Sequence, residues 1–126
     1  MPVLFDAETD NALDLESAEE TDDALYCATC GHLVTRRRWA ISPGGDHERV
    51  CANPAGRMFV VISFTDAPGA ADLGPPTEDY SWFKGYAWNF ARCRGCNSHL
   101  GWRYTGNGTP PLFWGLIKDM LTTQPR

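Results

Sequence analysis

Cys27-Ala28-Thr29-Cys30 and Cys93-Arg94-Gly95-Cys96 bracket most of this chain. Each is a Cys-x2-Cys knuckle. That spacing lets two thiolates converge on one tetrahedral ion, and two knuckles complete a four-sulfur site of the kind that holds zinc. Four sulfur ligands leave no open position for water, so a zinc there is structural. The 62 residues from Gly31 to Arg92 lie between the knuckles, whereas a compact zinc ribbon separates its pairs by only about 15–20 residues. A whole domain therefore hangs between the two halves of the clip, and the function is expected there. Two disulfides, or a redox-active Cys-x2-Cys, are the competing readings of the same residues.

Outward from the knuckles the pattern is one of short strands and turns. Leu33 to Ile41 alternates loosely and predicts one long strand. Pro43-Gly44-Gly45-Asp46 is a turn signal. Glu48 to Cys51 and Met58 to Phe64 predict two more strands, joined by Asn53-Pro54-Ala55-Gly56, with proline preset for the second turn position. Asp66 to Asp79 is rich in Pro, Gly and Ala and predicts a long surface loop. Tyr86 to Ala91 and Leu100 to Tyr104 are strand-like, Gly106-Asn107-Gly108 turns the chain, and Phe113 to Leu121 closes it as a strand ending in a helical turn. No segment carries the pattern of a long amphipathic helix, so the expected class is all-β with a zinc clip.

The 126 residues suffice for one domain. No apolar run approaches the roughly 20 residues of a membrane span. The acidic N-terminus lacks the basic start and apolar stretch of a signal peptide. A cytoplasmic location without a membrane partner is expected, and reduced thiols fit that compartment. The net charge of -5 conceals an asymmetry. Residues 1–23 hold nine acids and no base, while residues 24–126 hold the other seven acids and all eleven bases, formally +4. The first segment reads as a mobile, solvating tail and the second as the folded domain; the tail lying on the basic body is the alternative. Arg36-Arg37-Arg38 reads as a solvated face, and nucleic acid is not an expected partner. Cys51, the odd fifth cysteine, reads as a small buried apolar residue.

The densest chemical signal is Tyr80-Ser81-Trp82-Phe83-Lys84-Gly85-Tyr86-Ala87-Trp88, followed by Gly101-Trp102-Arg103-Tyr104. If Trp88 and Trp102 sit on adjacent strands, their rings can face each other across the sheet, and Trp82 can add a third wall. Three indoles at right angles make a box with electron-rich faces, suited to a small flat ligand with electropositive hydrogens or to a quaternary ammonium. The competing reading puts all five tryptophans in the core. Trp39 and Trp114 are placed there or at its edge in either case.

That aromatic stretch, then Cys93-x2-Cys96-x2-His99-x2-Trp102, then Phe113-Trp114-Gly115-Leu116, resembles the thalidomide-binding (CULT) domain of the cereblon family. The match runs from about Tyr26 to Leu116, and the chain looks like a single-domain bacterial homologue. The resemblance implies a β-tent, two antiparallel sheets pinned by zinc, with no catalytic residue. It implies that Trp82, Trp88 and Trp102 form a cage for cyclic imides: the glutarimide of thalidomide-type drugs, hydantoins, succinimides, uridine, and proteins whose C-terminus has cyclised to an imide. Backbone groups at Tyr80 and Trp82 would grip the imide, with Ser81 between them. Asn53 and Pro54 would form the lip, Tyr104 the base, and Phe59 a further contact. The chain departs from the human-type pattern at Tyr80 (histidine there), Ala55 (histidine) and Tyr104 (phenylalanine). At 126 residues the regions that recruit ubiquitin-ligase partners are not expected here.

Two other functions compete. The same zinc-pinned tent occurs in methionine-R-sulfoxide reductases, for which Cys51 would be the nucleophile; His47 is the nearest histidine in sequence, and His32 and His99 read as supports of the clip or core groups. An aromatic cage can also read methylated ammonium groups, with Glu78 and Asp79 supplying the carboxylate.

Overall fold

The computed structural model describes residues 23–124. Residues 1–22 lie outside them, and with them the expectation of a mobile acidic tail. The described chain opens at Asp23, which the tail reading had included. Its carboxylate accepts from Arg38 Nε at 2.7 Å and from Arg36 Nη1 at 3.4 Å. These guanidinium contacts, Arg38 foremost, hold the Asp23 pKa down at about 2.

Ten strands follow: β1 (Ala24–Cys27), β2 (Leu33–Arg36), β3 (Ala40–Ile41), β4 (Glu48–Ala52), β5 (Met58–Phe64), β6 (Ala70–Thr77), β7 (Tyr86–Cys93), β8 (His99–Gly106), β9 (Leu112–Ile117) and β10 (Leu121–Thr122). No α-helix occurs among the described residues; three short 3-10 turns interrupt the strands. The fold is all-β, as the turn-rich pattern predicts. A small sheet has the order β10–β1–β2, and a large one the order β3–β5–β9–β8–β7–β6, with β4 also paired to β5. All pairs are antiparallel.

Two expected elements differ. Leu33 to Ile41 is not one strand. A 3-10 turn at Arg37–Trp39 splits it, so that β2 joins the small sheet and β3 the large one. Loose alternation cannot register a chain that changes sheets midway. Asp66 to Asp79 is not a loop throughout, because Ala70–Thr77 forms β6, the outer strand beside β7. Its pairing with β7 skips between Leu73 and Thr77, across Gly74, Pro75 and Pro76. Prolines are tolerated on an edge strand, where a missing N–H breaks no ladder, so a composition that reads as loop can serve as an edge.

The large sheet has two working faces. One packs on the small sheet through Val34, Ile62, Phe64, Leu100, Trp114 and Leu116, with Trp39 half-buried against that core. The other carries a second cluster of Val61, Phe83, Tyr86, Trp102, Tyr104 and Phe113. Strand β9 follows simple alternation: Phe113 faces the second cluster, and Trp114 and Leu116 the first. Strand β8 does not, because Leu100 and Trp102 are two residues apart yet face opposite ways. A bulge explains it. Ala91 pairs with Gly101 while Arg92 pairs with His99, leaving Leu100 as the extra residue. Gly101 sits at φ +152, and a Cβ there would lie 2.2 Å from the Gly115 carbonyl. Only glycine fits, and the bulge turns Trp102 and Tyr104 onto the second face.

Candidate functional site

The two knuckles are built alike. The Cys27 N–H donates to the His32 carbonyl at 2.8 Å and the Gly31 N–H to the Cys27 carbonyl at 2.8 Å. At the second knuckle, Cys93 donates to Ser98 at 2.9 Å and Asn97 to Cys93 at 2.8 Å. Gly31 (φ +82) and Asn97 (φ +66) supply the left-handed residue each tight turn needs. Cys27 ends β1 of the small sheet and Cys93 ends β7 of the large one, so the clip joins the sheets.

The four sulfurs lie within 4.8 Å of one another. Cys27 Sγ is 3.7 Å from Cys96 Sγ, and Cys30 Sγ is 3.6 Å from Cys93 Sγ. Sulfurs about 2.3 Å from a tetrahedral ion lie roughly 3.8 Å apart, so the donor set fits a metal. Disulfide bonding would require sulfurs at about 2.05 Å, and all five cysteines are free thiols. The Gly95 N–H donates to Cys93 Sγ at 3.3 Å, and the Ser98 hydroxyl lies 3.1 Å from Cys96 Sγ. Polar hydrogens aimed at the sulfurs would stabilise the thiolates a metal requires.

On the second face of the large sheet lies a cavity of about 370 Å³. Trp82, Trp88 and Trp102 line it together with Tyr80, Tyr104, Phe59, Asn53 and Pro54. Eight of the nine residues expected at a ligand site thus converge. The ninth, Ser81, lies beside an adjoining shallow pocket with Ala52, Asn53 and Pro54. Its hydroxyl exchanges hydrogen bonds with the backbone of Phe83, closing the turn that carries Trp82. Phe90, which the sequence reading passes over, and His99, which it takes for a support of the clip or a core group, also line the cavity. Period two from Tyr86 through Trp88 points to Phe90, but the bulge hides His99.

The walls are set by edge-to-face contacts. Trp82 and Trp102 meet at 4.8 Å and 82°, and Phe59 meets Trp102 at 5.3 Å and 80°. Trp88 leans on Phe90, Phe90 on His99, and His99 on Trp102, at centroid distances of 5.0–5.5 Å. Trp88 and Trp102 are diagonal neighbours, since Trp88 pairs with Tyr104 and Phe90 with Trp102. Backbone carbonyls fix two of the indoles: Trp82 Nε1 donates to Ala52 at 2.9 Å and Trp88 Nε1 to Asp79 at 2.8 Å. Asn53 Oδ1 accepts from the Ala55 and Arg57 N–H groups and holds the lip turn.

The loop bearing Trp82 is tied from below. Arg49 donates from Nη1 to the Trp82 carbonyl at 3.2 Å and from Nη2 to the Pro43 carbonyl at 3.3 Å, with its guanidinium 4.5 Å above the Phe83 ring. Tyr80 has φ +57 and is 75% exposed. The Tyr80 carbonyl and the Trp82 N–H make no hydrogen bond among the described residues. A donor and an acceptor are thus left open beside the indoles.

No family model matches the chain. It is 41% identical over 113 residues to protein cereblon of Drosophila melanogaster, covering 81% of this chain and 18% of that protein. Against protein cereblon of Drosophila willistoni the identity is 33% over 109 residues, covering 79% and 17%. Against that of Danio rerio it is 39% over 72 residues, covering 55% and 17%. This chain carries a cereblon-like domain. It spans less than a fifth of the length of these relatives.

Among the described residues, the charged groups of the cereblon-like domain stay out of its cavity. No carboxylate of the described residues lines it, and Glu78 and Asp79 are exposed on the loop before Tyr80. His99 Nε2 lies 2.9 Å from the Gly101 carbonyl and donates there. Burial lowers its pKa, with Arg92 and Arg57 pushing the same way, so the wall is neutral at neutral pH. Cys51 is 5% exposed, packs in the second cluster and does not line the cavity. Burial raises its pKa, opposite to what a nucleophilic thiol requires. No helix among the described residues is long and apolar enough to cross a membrane.

Proposed function

We propose that the cavity is a recognition site for cyclic imides, and that zinc is the ion held by Cys27, Cys30, Cys93 and Cys96. The observation that carries the first reading is the pairing of an open carbonyl at Tyr80 and an open N–H at Trp82 with perpendicular indole walls. An imide edge offers one N–H between two carbonyls. Its N–H meets the Tyr80 carbonyl and one carbonyl meets the Trp82 N–H, while the indoles cover the ring. Few polar contacts in an apolar box is the usual design of a small-molecule site. Glutarimide, succinimide, hydantoin and uracil-type rings, and a protein C-terminus closed into a cyclic imide, all present this edge. The lining, neutral and without a carboxylate among the described residues, favours such a guest over a methylated ammonium, and the burial of Cys51 favours recognition over catalysis. Four reduced cysteines on a metal suit a cytoplasmic location.

Methylating the imide nitrogen tests the edge. It removes the donor and adds bulk where the backbone closes in. An unpaired buried polar group costs about 1–3 kcal/mol, so N-methyl glutarimide is expected to bind at least roughly tenfold more weakly than glutarimide. Tryptophan fluorescence quenching reads this directly, and equal binding of the two rings refutes imide recognition.

Arg49 tests the loop. Without its guanidinium the Trp82 carbonyl and the turn at Pro43 are no longer joined. Arg49→Ala is expected to weaken glutarimide binding about three- to tenfold, in line with one to two lost hydrogen bonds. An unchanged Kd in a folded Arg49→Ala protein would mean that the loop holds its shape unaided.

A further inference from the structure

Tyr104 is 1% exposed. Its ring stacks on Phe113 at 5.0 Å and 17°, and Phe83 meets it edge-on at 4.7 Å. Gly115 lies beneath it, where a Cβ would approach the Tyr104 ring to 2.9 Å. The ring is therefore fully committed to packing. The hydroxyl is not: it has no hydrogen-bond partner among the described residues. Nor is it sealed, because the one fully buried, unpartnered side-chain polar atom among those residues is Arg92 Nε. Tyr104 also lines the cavity. The small part of Tyr104 that stays accessible thus includes its hydroxyl, at the floor of the aromatic box. Burial raises its pKa, so the group stays a neutral phenol able both to donate and to accept.

We propose that the Tyr104 hydroxyl is a specificity determinant that favours cyclic imides carrying a second ring N–H over their all-carbon counterparts. This rests on the cavity being an imide site. With the imide edge at Tyr80 and Trp82, the opposite flank of the ring turns toward the floor. An imide edge is symmetric about its N–H, so an unsubstituted ring can present either flank. A methylene there displaces water from the hydroxyl and leaves it unpaired. A ring N–H there replaces the lost hydrogen bond. Sites that keep an open polar group penalise an isostere lacking the matching partner. The favoured class is hydantoins and dihydropyrimidinediones; the disfavoured class is succinimides and glutarimides.

Two pairs of near-isosteric rings isolate the effect: hydantoin against succinimide, and dihydrouracil against glutarimide. In each pair one CH2 is replaced by N–H. For the unaltered chain, calorimetric titration is expected to give a Kd ratio of three- to tenfold in favour of the N–H ring, the range of one neutral hydrogen bond. Tyr104→Phe keeps the stacked ring and removes the hydroxyl. It is expected to bring both ratios to within about twofold of unity, with glutarimide and succinimide binding more tightly than before because no hydroxyl is left unpaired beneath them. Ratios near unity in the unaltered chain overturn the proposal, and this needs no variant. Ratios that survive Tyr104→Phe overturn it equally. If none of the four rings binds, imide recognition itself is wrong, an outcome distinct from binding without selection.

Discussion

Replacing Cys93 by alanine is expected to unfold the domain rather than merely loosen it. Cys93 is buried at the end of β7, and its sulfur receives the Gly95 N–H at 3.3 Å. Its knuckle belongs to the large sheet and the Cys27 knuckle to the small one. Losing one of four ligands therefore weakens the link between the sheets as well as the turn. Structural zinc contributes about 10–16 kcal/mol in small domains, and a typical fold has only about 5–15 kcal/mol of net stability. The metal term is as large as the whole margin. Circular dichroism should show loss of β-structure for Cys93→Ala, and for the parent chain under strong chelation. Elemental analysis of the parent should give one zinc per chain. Cys51→Ser, which alters a thiol outside the clip, should keep that zinc. A Cys93→Ala protein that stays folded without metal would show that the core alone supports the fold.

The clip was legible because its information is local. Cys-x2-Cys spacing defines a knuckle without knowledge of the rest of the chain, and two knuckles need only each other. Most strands were legible for a similar reason: Met58 to Phe64 and Tyr86 to Ala91 carry their own pattern and meet their own turns. What failed was information that depends on neighbours. The switch of Leu33 to Ile41 from one sheet to the other is decided by which edges are free, at β1 and at β5. Likewise β6 is a strand because β7 has an open edge, despite Gly74, Pro75 and Pro76. The cavity divides along the same line. The tryptophans announce themselves by type. His99 joins them only through the extra residue Leu100, and Arg49 reaches the Trp82 carbonyl across 33 positions of sequence. Neither link leaves a periodic trace.

Truncating Trp88 is the sharpest test of the cavity, because this wall can be removed with little harm to the fold. Its side chain is half-buried, the one ring it meets among the described residues is Phe90, edge to face, and its N–H is tied to the loop carbonyl of Asp79. Trp102 differs: it is 7% exposed and touches Phe59, Trp82 and His99 at once. Loss of Trp102 should therefore lower both stability and affinity, whereas loss of Trp88 should fall mainly on affinity. A central aromatic contact is worth at least about 2 kcal/mol, or roughly a 30-fold rise in Kd. That is the expected effect on glutarimide binding of Trp88→Ala, and also of Trp82→Ala. Trp39→Ala serves as the contrast, because Trp39 packs on the core between the sheets and not on the cavity. It should lower the thermal midpoint and leave the Kd of the folded protein nearly unchanged. Calorimetric titration beside thermal unfolding separates the two effects. A folded Trp88→Ala chain that binds glutarimide like its parent would mean that the indoles are packing alone, with the ligand held elsewhere.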